Sequence, residues 1–158
     1  MKPSQAASDI FAQDGATVSA RLSERRRATD ATTRDLFYEL LVLALANLYG
    51  KLPLGTTLFD RGMIKAVTGH MSDHDAGKLV VKAEDWIRQE NLVRAQEGQK
   101  SYSASAAALA ALESRDPNGS LGERMEQAAM AYAGQPPSPD IRRATRQLAA
   151  EFLMRFKP

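Results

Sequence analysis

The two histidines of the chain lie four residues apart in His70-Met71-Ser72-Asp73-His74-Asp75, interleaved with two carboxylates. Histidines at that spacing on one helix can share a metal ion. Ser72, however, suits a helix cap better than a helix interior, which leaves His70 outside the helix. Asp73 and Asp75 then fall in the first turn, where the helix dipole favours acids. No metal site is therefore expected. The absence of cysteine removes disulfides, thiolate zinc sites and a thiol nucleophile, and favours a reducing compartment. No glycine-rich phosphate loop joins a strand to a helix, and no Gly-x-Ser-x-Gly elbow occurs. The expectation is a protein without enzymatic activity or cofactor.

The basic residues suggest binding instead. Lys and Arg number 21 against 19 Asp and Glu. Residues 1–34 carry six basic and four acidic groups, 35–115 nine and ten, and 116–158 six and five. A neutral central region weighs against strong non-specific affinity for nucleic acid, which comes from cations neutralising phosphates. Local clusters must do such work. One is Arg25-Arg26-Arg27, flanked by Arg21 and Arg34 in a segment rich in Ser, Thr, Ala and Asp with no sustained apolar period. It reads either as a solvated arm or as a DNA-contacting one.

At 158 residues, 44% of them apolar, the chain can bury a core without metal or disulfide staples. The longest charge-free apolar run, Leu40 to Gly50, is about half the roughly 20 residues of a membrane span. With no apolar signal region in Met1–Asp14, a cytoplasmic protein is expected. Residues 1–31 read as a flexible arm, with at most a short helix at Ser8–Gln13. Order begins at Thr32-Thr33, a cap for a helix ending at Gly50 that is apolar nearly all round and so central to the fold.

A second helix fits Leu58–Thr68, capped by Thr57, and a third begins after Ser72. The third has Ala76, Leu79, Val80, Ala83, Trp86 and Ile87 on its inner face, and His74, Lys78, Val81, Asp85 and Arg88 opposite. Leu92–Gln96 and Lys100–Ala104 form a hairpin around Gly98, and Ser105 caps a helix over Ala106–Glu113. Asp116-Pro117-Asn118-Gly119 is a turn. Two helices follow, Gly122–Ala133 and one from Ser138-Pro139 to about Phe156. The last has a stripe of Ile141, Ala144, Thr145, Leu148, Phe152 and Phe156, with Arg142, Arg143, Arg146 and Arg155 outside it.

The order helix, helix, turn, helix, two-stranded hairpin, helix resembles the winged helix-turn-helix superfamily between about Thr32 and Ser114. The run Trp86-Ile87-Arg88-Gln89-Glu90-Asn91-Leu92-Val93-Arg94, then Lys100-Ser101-Tyr102-Ser103-Ala104-Ser105 and Ala108-Leu109-Ala110-Ala111-Leu112, is similar to the passage from third helix through wing in bacterial regulators. Two departures stand out. The Gly50–Thr57 link is long and stiff, and Ser103-Ala104-Ser105 replaces the commoner Leu-Thr. In addition, the third helix starts with Asp73-His74-Asp75, where such regulators commonly meet the major groove.

The fold expected is mostly α: a winged-helix domain over residues 32–115, a helical extension over 116–158, and the N-terminal arm. The resemblance implies a regulator that binds duplex DNA as a dimer. Candidate phosphate contacts are Lys78, Lys82, Arg88, Arg94 and Lys100, with Arg25, Arg26 and Arg27 from the arm. Candidate dimer contacts are Ile141, Leu148, Phe152 and Phe156 on the final helix. The alternative is a winged helix that binds a protein partner, which the acidic start of the third helix favours.

Overall fold

The computed structural model describes residues 15–95 and 101–156, with side chains from residue 33 onward. The chain divides into two units, Met1–Asp35 and Leu36–Pro158. In the first unit the described backbone is helical, because α1 spans Gly15–Gly50. The helix thus begins well before Thr32-Thr33, and residues 15–31 are not an irregular arm. Extending an existing helix through Ala, Leu, Arg and Glu needs no second nucleation, so the weak capping signal at Thr32-Thr33 loses. Ser8–Gln13 lies outside the described residues.

In the second unit α1 is the centre of the core. Leu36, Leu40, Leu41, Val42, Leu43, Ala44, Leu45 and Leu48 are all buried. A helix that is apolar on every side is covered on every side. Within the long Gly50–Thr57 link, Thr56 forms an isolated antiparallel bridge to Tyr102. Thr56 N–H donates to the Tyr102 carbonyl at 2.9 Å, and Tyr102 N–H to the Thr56 carbonyl at 2.8 Å.

Helix α2 spans Arg61–Thr68, later than Leu58, and its cap is Asp60, whose Oδ1 accepts from Met63 N–H at 2.8 Å. The reason lies in α1, where Asn47 Nδ2 donates to the Leu58 carbonyl at 3.1 Å. That bond satisfies the carbonyl while buried Leu58 stays outside the helix. Ser72 does cap the next helix, α3 (Asp73–Gln89), accepting from Asp75 N–H at 3.2 Å. Its buried residues Leu79, Ala83 and Ile87 follow the expected face. Trp86 meets Phe37 edge-on, with ring centroids 5.3 Å apart.

Asn91 leaves α3 at φ 61°, in the left-handed region that asparagine tolerates better than most residues. Strands β1 (Val93–Ala95) and β2 (Tyr102–Ala104) pair antiparallel in the register Val93 to Ala104, Arg94 to Ser103, Ala95 to Tyr102. They are shorter than the expected strands. Buried Leu92 anchors one end, and Tyr102 Oη donates to Glu84 Oε2 of α3 at 3.1 Å. Ser105 caps α4 (Ala106–Glu113) as expected.

The turn at 117–118 closes a second small hairpin, β3 (Arg115–Asp116) with β4 (Gly119–Ser120), where Gly119 takes φ 112°. Ser120 then caps α5 (Leu121–Met130) in a reciprocal box with Glu123. The bonds Ala131 N–H to Ala128 O and Tyr132 N–H to Ala129 O tighten its end, so the helix stops before Ala133. Ser138 caps α6 (Pro139–Arg155), with proline in its first turn. Met125, Tyr132, Ala149 and Phe152 join the same core as α1. The described residues of 116–156 therefore fall in one unit with 36–115.

Candidate functional site

The solvent face of α3 presents His74, Lys78, Val81, Lys82, Arg88 and Gln89, as its spacing required. Val81 is 58% exposed. Gly77 lies on the same face, and a Cβ added there would meet nothing within 4 Å. Lys78 and Lys82, one turn apart, are both exposed. Arg88 pairs with Asp85 on the same helix, so its charge is already answered. Arg94 is exposed on β1. Lys100 lies outside the described residues, as do the side chains of Arg25, Arg26 and Arg27.

Acids share this helix. Asp73 and Asp75 are exposed in the first turn, and α3 as a whole carries four acidic groups against three basic. Because Ser72 is the cap, His70 precedes the helix and does not stack one turn from His74. Among the described residues no group of three or more His, Asp or Glu is placed to hold a metal.

The second constellation was not legible as a site. Glu39 of α1 is fully buried. Its Oε1 accepts from Arg142 Nε at 2.8 Å and from Tyr132 Oη at 2.8 Å, and its Oε2 from Arg146 Nε at 3.1 Å. Arg142 Nη2 also donates to the Val67 carbonyl at 3.0 Å, at the end of α2. Burial, with the Glu39 carboxylate alongside, pushes the Tyr132 hydroxyl well above the usual tyrosine value, so it remains protonated.

Arg142 and Arg146, outside the apolar stripe by spacing alone, instead turn toward Glu39. The inward face is Arg142, Thr145, Ala149 and Phe152, while Ile141 (39% exposed) and Ala144 turn to solvent. Leaving a buried carboxylate unpaired costs several kcal/mol, more than the roughly 1.5–3 kcal/mol of fully burying one isoleucine, so the charge sets the rotation of the helix. One signal for this was present. Glu39 is the single charged residue between Leu36 and Gly50, and an acid inside an apolar helix requires buried cations. Arg143 does stay outside, paired with Asp140 at 3.0 Å.

The four candidate dimer residues separate. Phe152 is buried in its own core and stacks on half-buried Phe156, with centroids 5.5 Å apart. Both are therefore used within the chain. Ile141 and Leu148 instead line a groove of about 460 Å³ between α5 and α6, with Ala128, Ala131 and Ala144. Arg124 closes the groove by pairing with Glu151 across the two helices and with Asp116 at 3.1 Å. Its guanidinium holds the Glu151 carboxyl below the ordinary glutamate range. Comparison with protein-family models, curated proteins and solved structures finds no match to this chain.

Proposed function

We propose that residues 32–115 form a winged-helix module that docks duplex DNA on the outer face of α3, acting as a dimeric regulator of transcription or a related process. The observation that carries this reading is the placement of Thr56. Paired with Tyr102 on the edge of β2 opposite β1, it forms an isolated antiparallel bridge between the first and second helices. The order is then helix, bridge, helix, helix, two-stranded wing, which leaves the face of α3 with Lys78, Val81 and Lys82 for a groove. Arg94 on the wing adds a cation for the backbone.

A second reading keeps the same module and replaces DNA with a protein. The observation behind it is charge: Asp73 and Asp75 open α3, and Asp85 takes up Arg88. Carboxylates facing phosphates weaken binding, whereas a protein surface can match them.

Fluorescence anisotropy of the full chain against random and genomic duplexes at about 50 and 200 mM salt separates the two. A DNA-binding module loses affinity steeply between those concentrations, and Lys78→Ala and Lys82→Ala each lower the salt slope by about one. No binding at the lower salt overturns the DNA reading and leaves the protein-binding one.

A further inference from the structure

A cavity of about 370 Å³, within the range of small-molecule sites, lies where the end of α1 meets α2 and α5. We propose that it binds the ammonium group of a small organic amine with an apolar body, through Glu126 and Asn47. Its wall combines Asn47, Gly50 and Lys51 with Met63 of α2 and with Glu126 and Met130 of α5.

Glu126 is the group that draws a cation. It is half-buried, and among the described residues it has no hydrogen-bond or ion-pair partner. Its position depends on the missing side chain of Gly50, where a Cβ would lie 2.7 Å from Glu126 Oε2. The carboxylate therefore rests against the last residue of α1, at the negative end of the helix dipole, and that helix has no basic residue in its last turn. Two sources of negative potential coincide there with no cation in contact, an arrangement that costs the free fold and that a bound cation relieves.

Asn47 supplies a second acceptor. Its Nδ2 is committed to the Leu58 carbonyl at 3.1 Å and to Met63 Sδ at 3.8 Å, which fixes the amide and leaves Oδ1 without a hydrogen bond. That oxygen is not buried. An ammonium offers three donors and no acceptor, so it suits a carboxylate and an amide oxygen beside a helix C-terminus, whereas an anion is repelled by all three. Ala129 and Ala133 continue the wall beside the two methionines. Thioether side chains adapt to irregular shapes, and Met130, 75% exposed, can close over an apolar body.

Lys51 is exposed and makes no ion pair with Glu126, although both line the cavity. The ammonium can therefore belong to a simple amine, or to an amino acid whose carboxylate reaches Lys51. The shared chemistry is a primary ammonium on an apolar body. None of these residues lies on α3 or in the groove between α5 and α6, so the site stands apart from both surfaces.

Calorimetric titration of the full chain at neutral pH with leucine, isopentylamine and 4-methylpentanoate, at ionic strength held constant with sodium chloride, tests the site. The three share one branched hydrocarbon body and differ only in their charged groups. Saturable binding with a Kd of about 1 mM or tighter is expected for isopentylamine, leucine or both, and none for 4-methylpentanoate. Preference for leucine adds Lys51 to the site, and preference for the amine leaves Glu126 and Asn47 as its contacts; either bears the proposal out. Glu126→Gln keeps the shape and removes the charge, so it retains or raises the melting temperature and loses about tenfold or more in affinity. Gly50→Ala keeps the charge but displaces the carboxylate, and it weakens binding with Glu126 intact. Absence of saturable binding to both ammonium compounds, equal binding of 4-methylpentanoate, or affinity unchanged in Glu126→Gln overturns the proposal.

Discussion

Glu39 shows how one side chain can direct an element far from it in sequence. Its fully buried carboxylate needs several donors, and it draws them from Tyr132, Arg142 and Arg146. Replacing Tyr132 by Phe removes one donor without creating a cavity. A hydrogen bond to a charged group is worth about 1.5–3 kcal/mol, so urea unfolding of Tyr132→Phe should show a loss of that order. The same variant has a pH signature. Burial raises the folded-state pKa of Tyr132 above the unfolded value of about 10. Its contribution is therefore complete below pH 10 and is lost as pH rises further, because the unfolded chain releases the proton first. Thr145, Glu39 and Arg142 also face this hydroxyl and do not reverse the direction. Unfolding midpoints measured from pH 8 to 11 should fall more steeply for the wild type than for Tyr132→Phe, and equal slopes would contradict the assignment.

Two helical glycines give opposite predictions for one substitution. Gly77 is exposed within α3 with open space where a Cβ would stand, so Gly77→Ala should stabilise the protein by about 1 kcal/mol through helix propensity. Gly122 opens α5 against the ring of Tyr49, and a Cβ there would come within 2.7 Å of ring atoms. That ring is tethered, its hydroxyl lying 3.3 Å from Ser120 Oγ. Overpacking of this kind costs about 1–3 kcal/mol, so Gly122→Ala should be destabilising, and paired denaturant midpoints check both signs. The stabilised Gly77→Ala variant also probes the proposed interface: if a partner backbone approaches closely there, its binding weakens while the fold gains. Elements defined by local caps were readable in the sequence, as Ser72, Ser105 and Ser138 show. The start of α2 was not, because a side chain of α1 decides it through the Leu58 carbonyl.

For the molecule as a whole, α6 has two faces with different fates. Arg142, Thr145, Ala149 and Phe152 close the core of their own chain, while Ile141 and Leu148 leave an apolar groove against Ala128 and Ala131 of α5. The proposed dimer uses this groove, since Phe152 is already spent on the core. Sedimentation of the wild type should then give a concentration-dependent dimer, and Ile141→Glu/Leu148→Glu a monomer with an unchanged helical spectrum. A wild type that stays monomeric at high concentration would remove the dimer while leaving the α3 face to be judged by its own titration.

The sequence by itself determined the elements whose signals are local. These are the apolar second half of α1, the capped and amphipathic α3 with its outer lysines, the left-handed exit at Asn91, the small hairpin after it, and the proline-led α6. Each rests on periodicity, a cap or a φ preference that neighbouring residues set. Only the tertiary structure decided that Thr56 joins the edge of β2, that α6 turns Arg142 and Arg146 toward Glu39, and that Lys65, His70 and Arg142 meet at one cleft. The physical reason is range. Glu39 and Arg142 are far apart in the chain, and no local pattern records that a carboxylate in one helix will be answered by a guanidinium in another until packing removes the water between them.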